Sequence, residues 1–236
     1  MKILDRLVQV SAFLLLGVCA LPAMAKNTQD EFWPEFDLYL QQGENMRLES
    51  VDTFNQGLNG GPYLQGRFSY FLDLALRPLL RRELRWKNDV FRQKYLTFRA
   101  GYQYKTSLLN GDSSSEHRGI VEFTSRYGLP GGIFLSDRNR GEFRFIHGQP
   151  FSERYRNRLR AERDFSIGRF SLTPYVYDEV FYDSRYHAWT INRYAAGILL
   201  PAGPHLVVEP FIFRQNQGRT TPPHVNVLGL TFNLYF

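Results

Sequence analysis

The sequence predicts an all-β protein, an antiparallel transmembrane up-and-down β-barrel of 10 or 12 strands that follows a cleaved signal peptide. Three observations lead to this fold class. Apolar and polar residues alternate over most of the chain, which is the period of a β-strand. No long uncharged apolar run follows residue 25, which excludes membrane-spanning helices. The last residues, 225–236, alternate toward a terminal phenylalanine instead of fraying into polar residues.

The N-terminus has the pattern of a secretory signal peptide. Two basic residues precede an apolar stretch, and the small-x-small motif Ala23-Met24-Ala25 follows it. We therefore expect a signal peptide over 1–25, with Ala23 and Ala25 as the residues read at the cleavage site. The remainder, 26–236, has a length that suits a single domain, which we assign to the barrel.

Composition narrows the classes of protein further. The only cysteine, Cys19, lies in the predicted signal, so the mature chain can hold neither a disulfide scaffold nor a cysteine-ligated metal site. Aromatic residues make up 16% of the chain, and the formal net charge is +6. An exported, aromatic-rich β-protein is either periplasmic or an outer-membrane β-barrel.

The strands can be assigned in order from the alternation. The segments 33–40 and 46–54 are weak candidates, and 64–77 and 95–105 are the first clear ones. The assignment gives eleven strands, but bacterial single-chain barrels normally have an even number, so we expect 10 or 12. The segment 77–93 either hides a strand, forms a short interfacial helix or is a basic loop. The remaining strands are predicted at 115–127, 131–140, 152–165, 170–182, 189–200, 204–216 and 225–236.

The predicted connectors differ in length between the two ends of the barrel. The connectors 126–132, 164–169 and 200–205 are short, whereas those at 107–117, 141–153 and 214–224 are longer and polar. Short turns at one end and long loops at the other are typical of an outer-membrane barrel, whose long loops lie outside the cell.

The C-terminal residues resemble the sorting signal of bacterial outer-membrane proteins. That signal is a glycine, then alternating apolar or aromatic residues, then a terminal phenylalanine, and Gly229, Phe232, Leu234 and Phe236 fit it. The resemblance implies the outer membrane of a Gram-negative bacterium as location. It also implies the barrel-assembly machinery as a partner during biogenesis.

The chain also resembles the domain of unknown function 2490 family, a group of uncharacterised bacterial outer-membrane β-barrel proteins. That resemblance implies a barrel architecture and no established activity. The matching segments are 32–40, 76–82, 155–165, 172–183, 192–198, 206–215 and 225–236.

The polar faces of the strands predict the lining of the lumen. With the apolar faces turned to lipid, arginines, glutamates and tyrosines of neighbouring strands point inward, where opposite charges attract. This network either plugs a narrow structural barrel or forms a constriction in a narrow channel, in which an excess of arginine would favour anions. The predicted lumen network is Arg156, Arg158, Arg160, Glu162, Tyr175, Tyr177, Glu179, Arg193 and Glu209.

A barrel enzyme acting on lipid or lipopolysaccharide is the alternative function. None of the five histidines stands beside a plausible nucleophile, so no catalytic residue is assigned and an enzyme is the less favoured choice. No motif for a metal or cofactor is present, so we expect none. We expect contacts with outer-membrane lipid, no nucleic-acid partner and a monomer by default.

Two groups of side chains are expected at the membrane surface. Arginines near the predicted loop 141–153 would bind the phosphates of lipopolysaccharide. Aromatic residues near strand ends would form interfacial girdles. The arginines are Arg138, Arg140, Arg144 and Arg154, and the aromatic residues are Trp33, Trp86, Trp189, Tyr182, Tyr186 and Tyr235.

Overall fold

The computed structural model describes residues 28–58, 63–76, 89–109, 112–167 and 170–236. The predicted signal peptide with Ala23 and Ala25, and the segment 77–88 with Trp86, lie outside the described residues.

The described residues form twelve β-strands and two short 3-10 turns, Val90–Gln93 and Pro130–Gly132. Among them, no helix has the length and apolarity needed to cross a membrane. The strands are β1 (Thr28–Gln41), β2 (Met46–Gly57), β3 (Tyr63–Leu76), β4 (Leu96–Leu109), β5 (Asp112–Leu129), β6 (Ile133–Ile146), β7 (Ser152–Arg163), β8 (Phe165–Ile167), β9 (Phe170–Asp183), β10 (Ala188–Pro201), β11 (Leu206–Gln217) and β12 (His224–Tyr235).

The strands close into a barrel, which confirms the predicted fold class. Eleven of the twelve strands form the ring, in the order β1 to β7, then β9 to β12, and β12 pairs with β1. The short β8 pairs only with β9 and stands outside the ring. The described residues therefore contain twelve strands, of which eleven form the ring, an odd number where 10 or 12 was expected.

One pair of strands in the ring is parallel. Neighbouring strands of a meander alternate in direction, so with eleven strands the first and the last point the same way. The closing pair must then be parallel, and β1 indeed runs parallel to β12 from Thr28↔His224 to Tyr39↔Tyr235. All other pairs in the ring are antiparallel.

Apolar and charged side chains are distributed in the barrel in the opposite way to a water-soluble protein. Large apolar side chains stand exposed on its outer face, for example Phe36, Leu48 and Leu159. Charged side chains are buried in its interior, for example Glu142 and Glu179, each with 1% of its surface exposed. A sheet whose apolar residues face outward and whose charged residues face inward is the pattern of a transmembrane barrel.

Several local expectations are wrong. The segments 107–117 and 141–153 are not long loops, because β4 and β5 extend into the first and β6 and β7 into the second. Their polar residues continue the alternation and point into the barrel, as Glu116 and Arg144 do. The longest connection in the ring, 77–95, instead joins β3 to β4 at the end where β12 terminates.

The surface roles expected of some side chains are also overturned. Trp33 is buried inside the barrel and Tyr235 lines its interior cavity, so neither belongs to an outer aromatic girdle. Trp189, in contrast, is exposed on the outer face. The four arginines expected to meet lipopolysaccharide form ion pairs with interior carboxylates, so no contact of that kind can be argued from them. These are Arg138, Arg140, Arg144 and Arg154.

Candidate functional site

A polar cavity of about 290 Å³ occupies the middle of the barrel and is the candidate site. Eleven arginines and eight carboxylates border it, together with eight aromatic side chains. The structure places all nine predicted lumen residues on its wall: Arg156, Arg158, Arg160, Glu162, Tyr175, Tyr177, Glu179, Arg193 and Glu209.

One wall of the cavity, on β6 and β7, is rich in arginine. Arg138 lies directly opposite Arg158, and Arg140 lies opposite Arg156. Like charges at such positions destabilise a sheet unless other groups compensate them. The carboxylate of Glu179 provides much of that compensation, since it pairs with Arg138 and accepts a hydrogen bond of 2.9 Å from Arg156.

Arg158 is the cation that this compensation leaves out. Within the described residues, no carboxylate lies within ion-pair distance of its guanidinium, which stands 5.1 Å from the centre of the Tyr177 ring. Arg67 on β3 is similar, because its guanidinium stacks over Trp33 at 4.5 Å and forms no ion pair with a described residue. Both side chains line the cavity and leave it with excess positive charge on these strands.

The wall across the ring from β6 and β7 carries carboxylates without arginine partners. Glu35 and Asp37 belong to β1, and neither forms an ion pair within the part of the chain that the structure describes. Glu35 accepts a hydrogen bond of 2.7 Å from Thr53, and Asp37 accepts one of 3.1 Å from Tyr39. The Glu35 carboxylate therefore faces the arginine-rich wall from across the cavity, without an arginine of its own among the described residues.

Aromatic rings cover the wall between these two sides. The Tyr175 ring lies over Gly197 and the Phe211 ring lies over Gly229, and a Cβ atom at either glycine would overlap with the ring. These pairs are direct cross-strand neighbours. The glycines thus allow both rings to lie flat against the barrel wall, as in the aromatic rescue of strand glycines.

The mouth at which β12 ends is closed by the 3-10 turn Val90–Gln93. Asp89 caps this turn by accepting from the Phe91 backbone N–H, and it forms an ion pair of 2.9 Å with Arg47 of β2. Arg92 pairs at 3.2 Å with Glu162 of β7. Because β2 and β7 lie on opposite sides of the ring, the turn spans the opening.

The closure is packed as well as charged. Phe91 is 1% exposed, and its ring lies 4.5 Å from the guanidinium of Arg47, which also lies 4.5 Å from the Tyr39 ring. Burial alone lowers the pKa of the Arg92 guanidinium, but the charge of Glu162 raises that pKa above its ordinary value. Arg92 is therefore charged at any physiological pH, and its ion pair with Glu162 is maintained.

A second ion-pair cluster fills the opposite end of the barrel, outside the cavity. Glu116 accepts from Arg118 at 2.8 Å and also pairs with Arg144. Arg144 reaches Asp183 at 2.8 Å, and Glu142 pairs with Arg118 at 3.5 Å. The cavity thus lies between a layer of ion pairs on one side and the 3-10 turn on the other.

The histidines lie outside the cavity. No histidine is among the residues that border the cavity. His117 points outward and contacts the Tyr102 hydroxyl at 2.5 Å, and His205 lies 2.6 Å from the Tyr235 backbone carbonyl. The same residues contain no group of three or more His, Cys, Asp or Glu that could hold a metal ion.

The residues of the predicted sorting signal lie along the seam between β12 and β1. Phe232 stacks on Phe36 of β1, with ring centres 5.4 Å apart. The backbone N–H of Phe236 donates to the Tyr39 carbonyl at 2.9 Å. Leu234 pairs with Leu38 in the register, and Gly229 faces the lumen beneath the Phe211 ring. A role of these residues in assembly stays a prediction.

Sequence reasoning missed the lumen residues of the first three strands. Glu31, Trp33, Glu35, Asp37 and Tyr39 all point inward, as residues at every second position must. The signal was present, because the intervening positions include two phenylalanines and one leucine. Trp33 was expected in a girdle because it lies near a predicted strand end.

A comparison with protein families gives a match over more than half of the chain. The family described as "Protein of unknown function (DUF2490)" matches residues 63–226, which run from the start of β3 into β12. No curated protein matches the chain.

Proposed function

We propose a narrow, gated channel in the outer membrane as the function of this chain, which belongs to the family described as protein of unknown function (DUF2490). One observation carries the proposal: charged side chains surround a central cavity of about 290 Å³ while apolar side chains cover the outside. A transmembrane barrel with a polar interior offers a route for ions and small polar solutes.

The described conformation is the closed state of this channel. The 3-10 turn blocks one mouth, and the Glu116–Asp183 cluster fills the other end. Both closures contain buried side-chain ion pairs, so opening must replace these pairs by contacts with water and with neighbouring charges. Opening would require the turn at 89–94 to leave the mouth, which breaks its ion pairs with Arg47 of β2 and Glu162 of β7 and exposes the buried Phe91 ring.

Conductance of the refolded full chain in a planar bilayer tests the proposal. We expect rare, small current steps from the natural sequence. The double variant Asp89→Asn with Arg92→Gln removes both ion pairs of the turn, and we expect current steps at least several times more frequent. A control with Glu44→Gln and Arg219→Gln changes the same number of charges at exposed positions and should leave the currents unchanged.

A plugged structural barrel is the second candidate, and the many interior ion pairs favour it. The two candidates differ in the outcome of the same experiment. If the natural chain and the turn variant both insert as folded barrels, shown by faster migration of unheated protein on a gel, yet remain silent, then the channel is rejected and the plugged barrel remains.

The outer-membrane location belongs to the proposal. A closed β-barrel fits a membrane-embedded protein, and the C-terminal strand fits the outer-membrane sorting signal. Fractionation of cells on a density gradient tests the location. The protein should sediment with lipopolysaccharide, and recovery in the soluble periplasmic fraction would contradict the proposal.

A further inference from the structure

We infer that the cavity binds small organic anions that carry one negative charge and a planar ring, of which benzoate is the simplest probe. The inference deepens the proposed channel and rests on it for access to the cavity. It depends on three features of the wall: excess positive charge, flat aromatic rings and carboxylates on the far side.

The first feature is the charge of the cavity wall. Three more arginines than carboxylates border the cavity, so an anion gains from entering it. The position of the excess is defined by ion pairs. Arg138 pairs with Glu179, and Arg160 pairs through Nε with Glu162 at 2.8 Å, while Arg158 between them has no carboxylate partner among the described residues. A guanidinium without a carboxylate partner can bind the carboxylate of a ligand through two parallel hydrogen bonds.

The second feature is the aromatic surface next to Arg158. The guanidinium of Arg158 lies near the Tyr177 ring, which is parallel to the Tyr175 ring at 6.2 Å between centres. Phe211 and Phe213 form a second parallel pair, also at 6.2 Å. Among the described residues, no guanidinium lies over Phe211, so a planar ligand can contact this ring without displacing a cation.

The third feature limits the charge of the ligand. Glu35, Asp37 and Glu209 border the same cavity and form no ion pair with a described residue. The carboxylates of Glu35 and Glu209 repel a second negative charge that reaches across the lumen. The site therefore favours a ring with one carboxylate over a dianion such as phosphate.

Trp33 provides a reporter for the test, because it is 8% exposed on the cavity wall. The experiment uses the full chain refolded in detergent, with Trp86→Phe and Trp189→Phe so that only Trp33 fluoresces. We expect a saturable change in fluorescence with benzoate, affinity at least tenfold weaker for acetate or phosphate, and no response to benzylamine. Equal affinity for benzoate and acetate, or tighter binding of phosphate, overturns the inference.

Substitutions locate the binding site. Arg158→Gln should weaken benzoate binding at least tenfold. Arg163→Gln, on the same strand and stacked on Phe165 outside the cavity, should have no effect. Tyr177→Leu keeps the charge and should weaken benzoate binding without changing the weak binding of acetate, which tests the site even if Arg158→Gln fails to fold. Unchanged benzoate affinity in both folded lumen variants overturns the inference.

The ligand site and the channel can be rejected independently of each other by measurements of binding and of conductance. Benzoate binding to a protein that shows no currents would support the ligand site and reject the channel. Currents that benzoate neither blocks nor alters, together with no fluorescence response, would support the channel and reject the ligand site.

Discussion

Glycines that face the lumen decide where aromatic rings can lie. Gly229 shows this most clearly, because the Phe211 ring occupies the space that a side chain at 229 would need. Gly229 is also the first residue of the predicted sorting signal, so a substitution there could act on assembly in the cell or on packing within the barrel. Only a measurement without the assembly machinery separates the two effects.

We expect Gly229→Val to destabilise the barrel during refolding in detergent or lipid, where no assembly machinery is present. The added side chain must push the Phe211 ring off the wall, and overpacking of this kind costs about 1–3 kcal/mol. The folded fraction across a urea series, read from gel migration without heating, gives the loss.

Two further variants test the cause of this loss. Gly119→Val is the control, because a Cβ at Gly119 meets only Phe143 at ordinary contact distance. The pair Gly229→Val with Phe211→Ala should recover stability. Full stability of Gly229→Val in vitro would mean that Gly229 matters only for assembly.

The lumen residues could be predicted from the sequence because side chains alternate between the two faces of a strand. Once one side chain is assigned to the inner face, the orientation of every other side chain on that strand follows. The ion-pair partners of these lumen residues could not be predicted. Arg138 on β6 pairs with Glu179 on β9, although β7 lies between these strands. Such pairs depend on strand tilt and on side-chain length, and no local pattern in the sequence contains either.

At the scale of elements, the parallel seam between β1 and β12 is the least expected feature. Each strand has the same alternation whether its neighbour is parallel or antiparallel, so only the number of strands in the ring decides the direction of the closing pair. The 3-10 turn was not predicted either, because the sequence of 77–93 is compatible with a strand, a short helix or a loop. The contacts of Asp89 and Arg92 across the mouth appear only in the folded ring.

We expect a disulfide to join β1 and β12 when Leu38 and Leu234 are both replaced by cysteine in a Cys19→Ser background. These residues are direct partners in the parallel register, and directly paired strand positions bring Cα atoms within the reach of a disulfide. Mild oxidation of the refolded protein should change its migration on a non-reducing gel. The control pair Leu38→Cys with Leu228→Cys lies on the same face but out of register and should not cross-link. Cross-linking in the control and not in the first pair would contradict the seam.

At the scale of the whole molecule, the medium around the barrel decides whether exposure of its apolar outer face is energetically favourable. An outer face with exposed phenylalanine, leucine and tyrosine would drive aggregation in water, whereas lipid accommodates it. The sequence predicted this inversion because the strongly charged strand β7 alternates Arg and apolar residues. A charge that is stable on the inner face of β7 should therefore be costly on its outer face, one residue away.

Leu159→Arg tests this inversion directly. Leu159 lies in the middle of β7 and is 48% exposed, so in a bilayer its replacement faces the hydrocarbon and should cost about 2–4 kcal/mol. Leu129→Arg, at the end of β5, is equally an outward substitution of an exposed leucine, but its position near the interface should reduce the cost to about 0–1 kcal/mol. Denaturant titrations of the protein refolded into lipid vesicles measure both values. In water an exposed arginine would stabilise the solvated face of a soluble barrel, so equal or improved stability of Leu159→Arg would place this barrel outside the membrane.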